Sequence, residues 1–140
     1  MALLVAVVFV ALKVIEICLR NPDFWNPGPY RAAPILIVCY TNHALDQFLE
    51  GVLEIFGKLG QHPSLVRVGR RSESKKLKPY KLNVLSGGSR KSTKDLLRKA
   101  RIIGMTTTGA AISSYILRET TPRIGPFYSL VSKNIREILS

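Results

Sequence analysis

Two segments place hydroxyl and amide side chains where an apolar run gives way to a helical pattern. Residues 34–53 read PILIVCYTNHALDQFLEGVL, with Thr41 and Asn42 at the junction, and residues 102–111 read IIGMTTTGAA, with Thr106, Thr107, Thr108 and Gly109 at theirs. Hydroxyl donors, an amide and the free N–H groups of a helix start suit phosphate oxygens and read no base. Junctions of this kind lie at the strand ends where a doubly wound α/β sheet takes its ligands. Thr41 and Asn42 are also helix-capping types, and capping is compatible with a phosphate contact.

The charge distribution points to the same class of ligand. The formal net charge is +12 and the pI about 10.2, but between Arg67 and Arg101 thirteen Lys or Arg stand against only Glu73 and Asp95, a local net of +11. So concentrated a block suits a phosphate backbone or an anionic lipid surface. Arg67, Arg70, Arg71, Lys75, Lys76, Lys78 and Lys81 are the cations expected to add affinity without sequence preference. If about six of them met a single strand, log K would fall against log salt with a slope near 4.

Other chemistries are poorly supplied. Cys39 and His43 are close in sequence, but the chain holds only two Cys and two His, too few for a zinc site. Cys18 and Cys39 lie in apolar segments without framework spacing, which reads as a reduced, intracellular chain with no disulfide. The stretch from Leu85 to Thr93, LSGGSRKST, imitates a phosphate loop at Lys91-Ser92. The G-x-x-x-x-G-K-[ST] pattern needs glycine where Leu85 and Arg90 stand, so a flexible basic loop is expected instead.

The positioning elements follow from periodicity. Ile35 to Cys39 is a short run apolar on both faces, as in a parallel strand covered by helices. Leu45, Phe48, Leu49, Val52, Leu53 and Phe56 then repeat at helical spacing, with Asp46, Glu50 and Glu54 on the solvated side and Gly57 and Gly60 closing the helix. Leu65 to Val68 makes the next strand, reached by a right-handed parallel crossover. Residues 70–99 show no sustained apolar period and are expected to form an exposed excursion with a short helix over Thr93–Ala100. Arg101–Met105 is a strand and Thr108–Leu117 a helix; Pro122, Gly125 and Pro126 break the chain before a last amphipathic helix over Ser129–Leu139. At the N-terminus, Ala2–Val10 reads as a buried strand. Ala11–Arg20 reads as a helix with Lys13, Glu16 and Arg20 on one face and Val14, Ile17 and Cys18 on another.

The segment CYTNHALDQFLEG resembles motif Ia of the Upf-like superfamily 1B helicases, closest to the branch carrying NFX-type zinc fingers. ARIIGMTTTGAA resembles that branch's motif Ic, and LVRVGRRSES the strand between the two; together the likeness covers roughly residues 12–123. It implies an α/β fold, an incomplete RecA-like sheet of the P-loop NTPase type with flanking helices. It divides the chain into a partial first motor domain over 1–125, with the basic excursion at 70–99, and a divergent C-terminal helix over 126–140. It further implies that Thr41 and Asn42, and Thr106, Thr107, Thr108 and Gly109, face the backbone of single-stranded RNA or DNA. Members of that branch are associated with small-RNA-linked silencing and antiviral responses.

Intact relatives burn ATP with magnesium, and here the pattern departs. A Gly-rich loop ending in Gly-Lys-Thr precedes the helix that in this chain reads LKVIEICLR, yet residues 5–11 are VAVVFVA, without a glycine. No run of N–H groups and no lysine is placed to hold the β and γ phosphates. An acidic strand end expected after Pro122-Arg123-Ile124 is replaced by Gly125-Pro126-Phe127. The expected function is therefore that of a piece of an ATP-dependent RNA helicase, cytoplasmic or nuclear, retaining strand contacts without cofactor or ATPase activity of its own. The loss of pattern at both ends also fits a truncated gene model. The alternative is a small basic protein anchored in a membrane by residues 1–19, where about 20 apolar residues are needed to span and Lys13 opposes insertion.

Overall fold

A computed structural model describes residues 2–21, 34–69 and 71–112. The expected helix over Ser129–Leu139, the boundary at 125 and the loop before Pro34 lie outside them.

Three parallel strands form the centre: β1 (Ile35–Cys39), β2 (Leu65–Arg67) and β3 (Ile102–Thr106), in the order β1-β3-β2. The chain thus leaves a gap between the first two strands, and β3 fills it. Register runs from Ile35 against Ile102 to Cys39 against Thr106, and from Leu65 against Ile102 to Arg67 against Gly104. Strand alternation sorts the side chains. Ile37, Leu65 and Ile102 join the core beneath α2 (Asn42–Lys58), made of Leu45, Leu49, Val52 and Phe56. Val66, Val68, Ile103 and Met105 face the opposite side. At the middle of β3, a Cβ on Gly104 would stand 2.6 Å from Leu49 Cδ1. Only glycine lets α2 lie this close to the central strand.

The second face is covered by the segment expected to be an exposed excursion. Residues 78–80 form a 3-10 turn, followed by α3 (Leu82–Ser86) and α4 (Arg90–Lys99), and Leu97 with Ala100 packs against Val66, Val68, Ile103 and Met105. Gly87, with φ 59°, and Gly88, with φ 85°, make the turn between these helices. A helix this short shows too few apolar positions to announce a period, yet two are enough to close a sheet face.

The N-terminal expectation is also corrected. Ala2–Arg20 is one continuous helix, α1, which takes in the stretch expected to be a strand, Ala2–Val10. A helix satisfies its backbone N–H and C=O groups internally, whereas a strand here would need a neighbour to pair with. Ile15 and Leu19 are buried against α2, and Val14 and Ile17, expected on the apolar face, are 53% and 58% exposed. Two such anchors, at about 1.5–3 kcal/mol each, suffice to dock a helix end. Glu16 lies on the docked side with Lys13, Arg20 and Lys58 at 3.2, 3.1 and 3.0 Å. Lys58 foremost, then Arg20 and Lys13, hold its carboxyl down at about 2. Among the described residues no helix is long and apolar enough to cross a membrane.

Candidate nucleic-acid interface

The register of Cys39 against Thr106 brings the carboxyl ends of β1 and β3 together. Adjacent strands stand about 4.8 Å apart, so Tyr40-Thr41-Asn42 and Thr107-Thr108-Gly109 leave the sheet from one edge as neighbours. Thr41 is the N-cap of α2, its hydroxyl oxygen accepting from Ala44 N at 3.1 Å. Thr106 does the same for the turn into α5 (Thr107–Ile112), accepting from Gly109 N at 3.1 Å. In both, the oxygen is occupied as an acceptor and, among the described residues, no acceptor takes its hydrogen, the polarity a phosphate oxygen requires. Thr41 and Thr108 are exposed; Asn42, Thr106, Thr107 and Gly109 are partly covered.

The seven expected cations do not share one environment. Arg71, Lys75, Lys76 and Lys78 are exposed. Lys81 is half-buried and donates to Ser72 O at 3.0 Å, its backbone continuing the edge of β2 through a bridge to Arg67. Arg70 lies outside the described residues.

Arg67 corrects the reading of the basic block. It is fully buried, 0% exposed, because it shares strand parity with Leu65 and so points beneath α2. There its Nε donates to Asp46 Oδ1 at 3.2 Å, Nη1 to Val68 O at 2.7 Å and Nη2 to Asn42 Oδ1 at 2.8 Å. Asp46, expected on the solvated face of α2, is buried at 7% exposure to meet it. Gly69 adopts φ 110°, and a Cβ there would approach Arg67 Nη1 to 2.8 Å. Without Arg67 and Lys81 as free contacts, the salt slope attributable to the exposed four falls to about 3.

Two features were not singled out from the sequence. Tyr40 stands 73% exposed at the mouth of the strand-end site, in a position for a base to stack on it. Along α4, Arg90, Lys91, Lys94 and Arg98 are all exposed. Their helical spacing gathers them within about 100° of arc, opposite Leu96, with the buried Leu97 at the border of the stripe beside Arg90. The charge count included these four, but only the packing of α4 through Leu97 separates them from the rest of the basic block.

The ATP cradle has no counterpart in the described chain. Residues 5–11 lie inside α1, where the backbone N–H groups bond along the helix and cannot gather around a phosphate. Gly87-Gly88-Ser89 joins two helices instead of following a strand, and Lys91-Ser92 lies within α4. Among the described residues no three His, Cys, Asp or Glu are grouped to hold a metal. Both cysteines are free, and burial pushes the Cys39 thiol up.

Over 77 residues the sequence is 47% identical to NFX1-type zinc finger-containing protein 1 of Homo sapiens and 49% identical to that of Mus musculus. The chain is similar to these zinc-finger proteins over 55% of its length. The Caenorhabditis elegans homolog is 26% identical over 102 residues, 61% of the chain. The chain spans only 4% of each of these relatives. No protein-family model and no solved structure matches it.

Proposed function

We propose that this chain is a piece of the first RecA-like lobe of an RNA helicase, and that it grips the backbone of single-stranded nucleic acid without hydrolysing ATP on its own. The observation that carries the reading is the register of Cys39 with Thr106, which puts the Thr41-Asn42 and Thr106–Gly109 junctions on one sheet edge. Exposed Arg71, Lys75, Lys76 and Lys78 supply charge from the segment that follows β2. Similarity to proteins named for zinc fingers, a module common in nucleic-acid recognition, supports a nucleic-acid partner.

Fluorescence anisotropy with a labelled oligouridylate, repeated from 50 to 200 mM salt (about a fourfold range), tests the proposal. Binding should weaken with a slope of about 3 and should be lost on converting Thr41 and Thr106 to Val together. Affinity indifferent to salt, or unaffected by that pair, overturns it. In a magnesium-dependent phosphate-release assay with RNA present, sustained turnover would overturn the absence of hydrolysis.

A further inference from the structure

Arg67 stands where the sequence suggests a phosphate contact, yet none of its guanidinium reaches solvent. Its bonds tie the first turn of α2 to the end of β2, two pieces of chain that share no backbone ladder. Nη2 holds the first residue of α2 through Asn42 Oδ1 at 2.8 Å. Nε holds Asp46 one turn later at 3.2 Å, and Nη1 closes on Val68 O at 2.7 Å. Asp46 in turn accepts from Ser72 Oγ on Oδ1 at 2.9 Å and from Glu73 N on Oδ2 at 3.2 Å, while Glu50 accepts from Ser74 Oγ. Ser74 Oγ itself accepts from Leu77 N at 3.3 Å, and Leu77 is buried in the core under α2.

We infer that Arg67 is a positioning residue: through Asp46 it pins the basic segment from Arg71 to Lys78 against α2, and through Asn42 it orients a strand-end amide toward the nucleic acid. An arginine can only donate, so the amide must present its oxygen to Arg67. The Asn42 nitrogen is thereby left to donate elsewhere, and no described residue accepts from it. A donor fixed in this sense suits a phosphate oxygen; a freely rotating amide would present its oxygen half the time. The inference rests on the proposed strand contact, and it gives the buried arginine a role that its charge alone does not.

The decisive variant is Arg67→Lys in the full 140-residue chain. Lysine keeps the charge but lacks the planar fork that serves three acceptors at once. Amide hydrogen exchange of the free protein should then show at least tenfold faster exchange at Glu73 and Leu77, with β3 amides still protected. Oligouridylate affinity should fall at least fivefold at every salt concentration. Lys75→Gln, which removes an exposed cation, should do the reverse, lowering the salt slope by about 0.7 while leaving exchange unchanged.

Unchanged exchange in Arg67→Lys overturns the clasp. Lost protection with unchanged binding overturns the positioning role alone. If the unaltered chain does not bind oligouridylate, the proposed function falls and the positioning role falls with it, while the exchange data still decide whether the clasp exists. Should Arg67→Lys fail to fold, Ser72→Ala takes its place, because it removes one bond to Asp46 and leaves the buried pair intact. Accelerated exchange at Glu73 together with weaker binding supports the inference, and no change in either overturns it.

Discussion

Gly104 and Leu49 meet at the centre of the molecule, where the absence of a side chain on β3 lets a leucine of α2 rest on the strand backbone. A Cβ at position 104 would lie 2.6 Å from one Leu49 methyl and 2.9 Å from the other, distances at which the buried Leu49 side chain or the helix that carries it must shift. Because α2 starts at Thr41 and Asn42, the helix that would shift also carries half of the strand-end site.

Gly104→Ala is therefore expected to destabilise by about 1–3 kcal/mol, the usual range for overpacking a filled core. Urea denaturation followed by circular dichroism measures it. Adding Leu49→Ala should recover part of the loss, because the new methyl then occupies space the leucine vacated. Two losses that simply add would show that the contact is not the cause.

Tyr40 offers a different test, since at 73% exposure its ring contributes little to the core. Tyr40→Ala should leave the unfolding free energy from urea denaturation within about 0.5 kcal/mol of the parent. Affinity for oligouridylate should weaken by roughly 1–3 kcal/mol if one base stacks there. Tyr40→Trp should retain binding, and quenching of its fluorescence on addition of RNA would report the stack directly.

On α4, the stripe of Arg90, Lys91, Lys94 and Arg98 covers about 12 Å of helix, enough to follow two phosphates. Converting all four to Gln should reduce the slope of log K against log salt by about 1.4 if two of them make contact. The helix should survive, because Leu97 and Ala100, which dock it, are untouched. An unchanged slope would confine the interface to the strand ends and the segment after β2.

Glu16 predicts an acid dependence. Its carboxyl titrates at about 2 in the folded chain against an ordinary 4.5, chiefly through Lys58. A carboxylate lowered on folding stabilises above its unfolded value and loses that contribution as pH falls toward its folded one. The Tm difference between the parent and Glu16→Gln should be constant above about pH 5 and shrink steadily between pH 4.5 and 2. A difference that does not change with pH would mean that the three cations do not act on Glu16 in solution.

Much of the architecture was legible because its signals are local. The run of Ile35 to Cys39, the Thr41 cap and the helical spacing from Leu45 to Phe56 specify strand, turn and helix from neighbours within a few residues. The same holds for Ile102 to Thr106 and the helix start that follows. Where local signals were ambiguous, the expectation failed: β-branched residues in Ala2–Val10 suggested a strand, whereas Ala2–Arg20 is one helix that satisfies its backbone groups internally.

Position 67 shows what lies beyond local reading. An arginine in a basic stretch looks the same in sequence whether it faces water or α2, and Asp46 looks like any acid on a helix. Sequence by itself determined the chemistry at the strand ends, the parallel-strand pattern and the excess of charge, since composition and short-range period carry them. Tertiary structure alone decided that β3 stands between β1 and β2, that α4 closes the second face, and that Arg67 is buried against Asp46. These depend on which faces are covered by elements distant in the chain, and burial changes a solvated cation into a buried one that must have its acceptors around it.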